Sequence, residues 1–315
     1  MDDIISIAII GPGKIAPRFV KGAGFVDSAH IIGVYGRTKE KAIAFARKYN
    51  IAKVYQTMEE CLHDQQVDLV YIATPPQTHR DIIFACLSAK KHVLCEKPML
   101  FKTQDILDMM ALAKSSNCLL MEAQKAPYLQ TTQWLKQAIQ DGQLGDIVYV
   151  EASYGYDGSH FDQDHWAFDR ESGGSLWDVG VYPISFFLTV IDDEIESFSK
   201  EVIKHPRGSD SFGHLQLKTK NQTIASLSSS LINNQVNTAR IYGTKGMVLI
   251  ENFWKATQLT WVKDTGEIST LSFDDPTDFA PYIAHAIMCI KKGLVESPIY
   301  HHKHWLEQVR LITSK

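Results

Sequence analysis

The stretch IAIIGPGKIA, residues 7–16, decides the fold of the amino-terminal part of this 315-residue chain. It joins a short apolar run, typical of a buried strand, to the beginning of a helical pattern. At the junction Gly11, Gly13 and Ala16 have G-x-G-x-x-A spacing. Gly11 permits a tight turn, Gly13 lets the backbone approach a pyrophosphate, and Ala16 allows close helix–strand packing. This context predicts a dinucleotide-binding site, and the alternative is a glycine turn that binds no ligand.

The sequence up to about residue 122 alternates between apolar runs and helical patterns. The further apolar runs lie at 30–36, 67–74, 92–97 and 118–123, and the helical patterns lie at 14–25, 39–50, 79–91 and 103–116. Strands that alternate with helices of this length are typical of βαβ units and a parallel sheet. We therefore predict an α/β fold that begins with a Rossmann dinucleotide-binding domain at residues 1–121.

The pattern changes after Glu122. One helical segment and the GG segment at 173–185 are followed by consecutive strand-like runs between 197 and 273, joined by short turns such as GTKG and KDTGE. Such runs are typical of an antiparallel sheet. Two helices are predicted at about 278–293 and 302–313. We expect residues 122–315 to form an α+β domain with a large, mainly antiparallel sheet, which binds substrate and mediates dimerisation.

The composition is that of an ordinary globular protein, with 45% hydrophobic and 22% charged residues and a net charge of −4. A chain without a long basic run is a poor partner for nucleic acid or an anionic membrane. The longest apolar stretch, at 179–191, is too short to span a bilayer. Five scattered cysteines and an acidic amino terminus without signal-peptide features predict a cytoplasmic protein with free thiols.

The end of the second predicted strand bears on the choice of cofactor. An acidic residue there would bind the ribose 2′-hydroxyl of NAD. Arg37 and Thr38 occupy this place instead. A guanidinium can stack on adenine and pair with a 2′-phosphate, so the segment favours NADP over NAD. The alternative is a solvated arginine beside a threonine that caps a helix.

Two further motifs complete a recognisable set: YIATPPQTH at 71–79 and CEKPM at 95–99. With GPGKIA and GGSLWDVGVYPIS, they resemble the glucose-fructose oxidoreductase / inositol dehydrogenase / rhizopine catabolism (Gfo/Idh/MocA) family over nearly the whole chain. Arg37 and Tyr182 resemble the branch of dimeric dihydrodiol dehydrogenase and NADP-dependent D-xylose dehydrogenase. Inositol dehydrogenases have a histidine where this chain has Tyr182, and Pro76 replaces the family's common asparagine.

The resemblance implies a dehydrogenase or reductase that moves a hydride between NADP and a hydroxyl carbon of a sugar, cyclitol or small diol. Its catalytic residues would be Lys97, Tyr182 and Asp178. Alcohol oxidation needs a base for the hydroxyl proton. A tyrosine is a poor base alone, but a nearby ammonium such as Lys97 favours its phenolate. Asp178 would orient Lys97 or bind the substrate. The alternative is a core tyrosine with an aspartate that complements the helix dipole.

The remaining predicted site residues follow from the same motifs. Cofactor contacts are predicted for Gly11, Gly13, Lys14, Ile15, Arg37, Thr38, Thr74, Pro75, His79, Glu96 and Lys97, and substrate contacts for Tyr156, Trp166 and Asp178. For His79 the alternative is a helix-terminal histidine, and for Trp166 it is core packing. Phe161 and His165 share a loop with Tyr156 and would shape substrate choice. We predict no metal site at the histidine-rich YHHKHW segment, because spacing alone does not make one.

Two other function classes fit the same motifs. One is an NAD(P)-dependent glycoside hydrolase of the same family, and the other is a nicotinamide-cofactor sensor that catalyses little. The expected partners are a small-molecule substrate and a second copy of the chain, with neither nucleic acid nor membrane. IASLSSSLI at 224–232 alternates so that its serine-rich face can pack against that second copy.

Overall fold

The computed structural model describes residues 4–158, 166–170 and 172–314. The chain divides into two compact units, Met1–Gln124 with Pro276–His302, and Lys125–Asp275 with Lys303–Lys315. The sequence pattern predicts that all of residues 122–315 belong to the second domain. The structure places 276–302 in the first unit because Gly22 leaves room there for Phe279, whose Cβ lies 2.5 Å from where a Cβ on Gly22 would be.

The first unit contains a six-stranded parallel sheet with helices around it, which confirms the predicted Rossmann-type fold. Its strands are β1 Ile5–Ile10, β2 Ala29–Tyr35, β3 Lys53–Val54, β4 Leu69–Ile72, β5 His92–Cys95 and β6 Leu120–Glu122. Its helices are α1 Ala16–Ala23, α2 Lys39–Tyr49, α3 Met58–His63, α4 His79–Ser88, α5 Thr103–Ser116 and α8 Ala280–Lys291. The short β3 and α3 were not predicted, because segments of that length show no periodicity.

The strand order β3-β2-β1-β4-β5-β6 places a topological switch point between β1 and β4. Strands β1 and β4 are almost entirely buried, as expected for a parallel sheet covered on both faces. Ligands of open α/β sheets bind outside the carboxyl ends of the strands at such a point. The Gly11 turn follows β1 there, so the topology puts the predicted dinucleotide motif where the fold binds its ligand.

The second unit contains an eight-stranded sheet with the order β14-β13-β12-β11-β7-β10-β9-β8. The strands are β7 Ile147–Gly155, β8 Ile195–Lys204, β9 Asp210–Thr219, β10 Ile224–Ser230, β11 Thr238–Gly243, β12 Gly246–Glu251, β13 Gln258–Lys263 and β14 Ile268–Ser272. The helices are α6 Gln130–Gln140, α7 Val181–Val190 and α9 His302–Thr313. Strands β7 and β10 pair in parallel and the other neighbours are antiparallel, which confirms a mainly antiparallel sheet.

Helix α7 begins in an unusual way. A five-residue π-helix, Leu176–Gly180, precedes its first α-helical residue. Gly174 has a φ of +112°, and a Cβ at this residue would lie 2.2 Å from Oδ1 of Asp210. The other oxygen, Asp210 Oδ2, accepts hydrogen bonds from Ser175 Oγ at 2.5 Å and from Leu176 N at 2.9 Å. Because Gly174 has no side chain, the buried carboxylate of Asp210 has room to bind the residues that begin the helix.

Candidate active site

The glycine turn packs directly against the end of β4. Gly11 has a φ of +97°, and a Cβ on it would lie 2.8 Å from the carbonyl of Ala73 and from Cγ2 of Thr74. For Gly13 the nearest such atom is Ala73 O at 3.8 Å. Gly11 is therefore required by the fold itself, whereas Gly13 leaves open space at the turn, as the approach of a pyrophosphate demands.

A cavity of about 520 Å³ opens at this turn within the first unit. It is lined by Ile10, Gly11, Pro12, Gly13, Tyr35, Gly36, Arg37, Thr38, Lys41, Met58, Glu59, Ala73, Thr74, Pro75, Thr78 and Ile82. We call it the glycine-turn pocket. It brings together six of the predicted cofactor residues, which come from the ends of β1, β2 and β4.

Two charged residues of the pocket were missed from the sequence. Lys41 lies four residues after Arg37, one helical turn further on at the start of α2, and both side chains are exposed. The RTKEK segment carries the signal, because it places Lys41 one helical turn after Arg37. Glu59 comes from α3, whose six residues were not recognised as a helix. The pocket therefore offers two cations and one carboxylate.

His79 was predicted to contact the cofactor, and it is not among the residues that line the glycine-turn pocket. Its side chain is fully buried, with Nε2 3.0 Å from Thr74 O and Nδ1 3.1 Å from Pro98 O. Burial lowers its pKa, although its backbone partners act in the opposite direction. The imidazole thus connects the loop after β4 to the loop after β5. Lys14 and Ile15 precede α1, and neither lies among the residues that line the pocket.

Glu96 and Lys97 follow β5 at the carboxyl edge of the sheet. Tyr71 Oη donates a hydrogen bond of 2.6 Å to Glu96 Oε1, and the Lys97 amide is 3.3 Å from Oε2. Burial, and then the Glu96 charge, raise the pKa of Tyr71, so that phenol remains a donor. The side chain of Glu96 therefore bonds within the first unit, to the Tyr71 hydroxyl and to the backbone amide of the half-buried Lys97.

In the second unit, Asp178 and Tyr182 are both buried, with 8% and 7% of their surface exposed. Tyr156 Oη donates a short hydrogen bond to Asp178 Oδ2. Burial, followed by the Asp178 charge, raises the pKa of Tyr156. Tyr156 therefore stays protonated and holds the carboxylate of Asp178 in one orientation, an arrangement that joins two of the three predicted substrate residues.

Among the described residues, aromatic rings and a lysine lie close to Tyr182. The Tyr154 ring meets it edge-on at 5.2 Å between centroids and stacks on Trp254 at 4.0 Å. Lys125 Nζ lies over the Tyr182 ring, 5.2 Å from its centroid, and only 6% of Lys125 is exposed. The sequence indicated no role for Lys125, because it belongs to no motif. We call Lys125, Tyr154, Tyr156, Asp178, Tyr182 and Trp254 the Tyr182 cluster.

The remaining predictions concern the substrate loop and metal binding. Trp166 is half-buried in the short 3-10 helix Trp166–Phe168, and Phe161 and His165 lie outside the described residues. Within the described chain, Glu296, His301 and His302 have ligand atoms within 4.8 Å of one another. Glu296 Oε2 and His302 Nδ1 are only 2.6 Å apart, which is a hydrogen-bond distance rather than the spacing of two ligands on one metal.

No described helix has both the length and the apolar character that a membrane span requires. All five cysteines are buried and free.

Comparisons with known proteins identify the family of the chain. A family model, GFO_IDH_MocA, described as an oxidoreductase family with an NAD-binding Rossmann fold, matches residues 5–124. A second, the GFO/IDH/MocA C-terminal domain, matches residues 132–249. Trans-1,2-dihydrobenzene-1,2-diol dehydrogenase from Mus musculus is 31% identical over 301 residues, which cover 92% of this chain and 90% of that protein. The Homo sapiens enzyme is 31% identical over 278 residues, 85% of this chain and 82% of that protein.

Solved structures extend the likeness of fold. Aldose-aldose oxidoreductase from Caulobacter crescentus, complexed with glycerol, matches with a TM-score of 0.89 at 23% identity, over 98% of this chain and 95% of that chain. A 3-ketoreductase from Actinomadura kijaniata, in complex with NADP and TDP-benzene, matches with a TM-score of 0.84 at 21% identity, over 98% and 96%. The resemblance inferred from the motifs, including its dihydrodiol dehydrogenase branch, is confirmed.

Proposed function

The chain belongs to the Gfo/Idh/MocA oxidoreductase family, and we propose that it is an NADP-dependent dehydrogenase or reductase. Its substrate would be a sugar, cyclitol or small diol that reacts at a hydroxyl-bearing carbon. The observation that carries the proposal is the glycine-turn pocket with Arg37 and Lys41 on its wall. The relatives, named for a dihydrodiol, an aldose and a 3-ketone reduction, support the substrate class.

The residues of the pocket fit a nicotinamide dinucleotide phosphate. Gly13 leaves the space that a Cβ would fill, and Gly11 lets the turn pack against Ala73 and Thr74. Arg37 lies just after the end of β2, at the place where an NAD-dependent enzyme would have a carboxylate. Its guanidinium and the Lys41 ammonium would pair with a 2′-phosphate, and Thr38 would donate to it. Glu59 would accept a hydrogen bond from a ribose hydroxyl.

When bound, the nicotinamide would accept or deliver the hydride. Tyr182 would take the proton of the substrate hydroxyl in oxidation and return it in reduction. Lys97 would favour the phenolate form of Tyr182 and reach the substrate oxygen. Asp178, held by Tyr156, would orient Lys97 or accept a hydrogen bond from a second substrate hydroxyl. Trp166 would line the substrate site.

We also propose a cytoplasmic homodimer. One face of the eight-stranded sheet packs on α7, while Ser226 and Ser228 on the opposite face of β10 are half-buried and short. Flat, small side chains suit sheet-to-sheet packing. Ser228→Arg should convert a sedimenting dimer to monomer without loss of secondary structure. A wild-type monomer at micromolar concentration would overturn the dimer.

The proposed cytoplasmic location is supported by the buried free cysteines, which suit a reducing compartment.

The deciding experiment screens aldoses, cyclitols and trans-dihydrodiols with NADP and with NAD. A dehydrogenase accumulates NADPH steadily, as followed by its near-ultraviolet absorbance. A glycoside hydrolase of this family would release free sugar from a glycoside without net NADPH. A sensor would bind cofactor and turn over nothing. Steady NADPH formation with a free sugar, cyclitol or diol supports the proposal, and either other outcome overturns it.

A further inference from the structure

We propose that Lys125 is a positioning residue for proton transfer, whose ammonium stabilises the phenolate of Tyr182 from within the second unit. The inference rests on the proposed function, because Lys125 would act through Tyr182 rather than on the substrate. Lys97, the cation that the motifs indicate, belongs to the first unit, whereas Lys125 and Tyr182 belong to the second. The proposal therefore gives Tyr182 a second cationic partner, supplied by the fold of its own unit.

The contact geometry supports an electrostatic role. Lys125 Nζ lies 5.2 Å from the centroid of the Tyr182 ring, above its face. A cation in that position is attracted to the neutral ring and far more strongly to its anion. Both side chains are buried, so water and salt screen the interaction weakly. An opposite charge at this range commonly shifts a protonation equilibrium by one or more pH units.

The neighbouring charges show why such a cation is needed. Asp178, on the turn before Tyr182, carries the negative charge that disfavours a phenolate nearby. The Tyr154 ring meets Tyr182 edge-on, and Tyr156, whose pKa is raised by burial and by the Asp178 charge, donates to Asp178. The elements packed against α7 contribute these further titratable groups: Tyr128 from the 3-10 helix Ala126–Tyr128, Lys136 from α6, and Tyr149 and Glu151 from β7, while β10 has none.

The charges of Lys125 and Asp178 thus have opposite effects on the protonation of Tyr182. With Lys125 in place, the anion of Tyr182 has a compensating charge inside its own unit. Without it, the nearest charge within the cluster would be the carboxylate of Asp178. The structure consequently predicts opposite effects for the two substitutions. Lys125→Met should push the titration of Tyr182 to higher pH, and Asp178→Asn should pull it to lower pH.

The test follows the Tyr182 hydroxyl directly, in the full chain without cofactor or substrate. Tyrosine labelled with ¹³C at Cζ reports protonation by NMR, and Tyr182→Phe identifies the resonance. Lys125→Met should raise the midpoint by about one to two pH units. Lys125→Arg, which keeps the charge, should restore it. The matched control is Lys255→Met, since Lys255 Nζ lies over Trp254 at 5.6 Å, and this exposed lysine should leave the midpoint unchanged.

Activity provides the second readout. With a substrate from the screen, the limb of the pH–rate profile that requires the phenolate should move with the NMR midpoint, so that kcat near neutral pH falls about ten- to hundredfold in Lys125→Met. An unchanged midpoint in a folded Lys125→Met protein overturns the inference and makes Lys125 a packing residue. Should that variant not fold, Lys125→Gln against Lys125→Arg decides by the same comparison. Because the titration needs no turnover, a shifted midpoint in a protein that turns over no substrate would count only against the proposed function.

Discussion

The glycine-turn pocket of the first unit is lined largely by backbone and exposed side chains, whereas the Tyr182 cluster of the second unit consists of nearly buried ones. In the pocket, Gly11 and Gly13 matter for the side chains they lack. In the cluster, Lys125, Tyr156 and Asp178 matter for the groups they hold near Tyr182. A site built from backbone tolerates change in its exposed rim, while a site built from buried polar groups depends on every partner.

The two sites therefore differ in whether a substitution is expected to affect folding as well as binding or catalysis. Exposed cations such as Arg37 and Lys41 can be removed with little effect on folding, so their loss reports on binding alone. Asp178 is buried and accepts a hydrogen bond from the half-buried Tyr156, so removing either group takes away a hydrogen bond inside the cluster and should also affect folding. The predictions below use this contrast, from the largest expected effect to the smallest.

Tyr182→Phe should give the largest effect on turnover. The ring and its packing remain, but the hydroxyl that transfers the proton is lost, so kcat should fall about 10²–10⁴-fold with little change in NADP affinity. Lys97→Met should be as damaging, and the double variant hardly worse than either, since residues that act as a unit are non-additive. Steady-state kinetics with the screened substrate and a cofactor titration measure this.

Tyr149→Phe is the matched control for that prediction. Tyr149 lies on β7 beside Tyr242, with 5.9 Å between the ring centroids, and its loss should leave kcat unchanged. If Tyr182→Phe keeps most of its kcat, the tyrosine only packs, and the base would be Lys97 or Asp178 acting through water.

Gly11→Ala should disable the pocket. The new Cβ would lie 2.8 Å from the Ala73 carbonyl, at a φ of +97° that costs a non-glycine residue about 1–3 kcal/mol. We expect NADP affinity to fall by more than about a hundredfold and the melting temperature to drop. Fluorescence titration and thermal unfolding measure the two effects. Gly13→Ala is the companion variant, which has space in the fold and should weaken binding while keeping the wild-type melting temperature; equal destabilisation of both would refute this distinction.

Arg37→Ala should change cofactor choice with little effect on stability. A charge-assisted pair with the 2′-phosphate is lost, so the dissociation constant for NADP should rise about ten- to hundredfold while that for NAD barely changes. Lys41→Ala should act in the same direction. Lys48→Ala, an exposed lysine near the end of α2, is the control. Equal affinities of the wild-type protein for NADP and NAD would contradict the proposed preference.

Asp64→Asn should give the smallest effect, on stability alone. The Lys53 ammonium at 2.6 Å, aided by the Gln66 amide and the Tyr55 hydroxyl, lowers the pKa of Asp64 to about 2. The carboxylate therefore stabilises the fold fully above the unfolded pKa of about 4, and this contribution is lost as the pH falls through about 2. The variant should lose about 1–2 kcal/mol of unfolding free energy at neutral pH, as measured by urea denaturation. A loss that persists undiminished at pH below about 2 would contradict the role of this charge.

Local patterns in the chain were sufficient for most of the fold. The helix at Thr103–Ser116 and the helix at His302–Thr313 were predicted with their observed bounds, because apolar periodicity and flanking polar residues mark them. Segments below the length of one period, Lys53–Val54 and Met58–His63, were missed. Glu59 belongs to the second of these segments, so it was not predicted as a pocket residue.

Long-range packing governed the rest. His79 is next to a predicted cofactor loop in sequence, yet its ring lies in the interior between the carbonyl groups of Thr74 and Pro98. Residues 276–302 follow the second domain in sequence, yet Phe279 fills the space that Gly22 leaves in the first unit. Neither outcome has a sufficient local signal, since Pro98 is distant in the chain from His79 and Gly22 is distant from Phe279.

By itself, the sequence determined the glycine turn, the alternation of strands and helices, and the residues of each motif, because backbone conformation and amphipathic period are written in neighbouring residues. Only the tertiary structure decided that Lys125 lies over Tyr182, that Tyr156 holds Asp178, and that Glu59 and Lys41 line one pocket. Such contacts join residues from different elements, and their energies depend on burial, which no short stretch of sequence specifies.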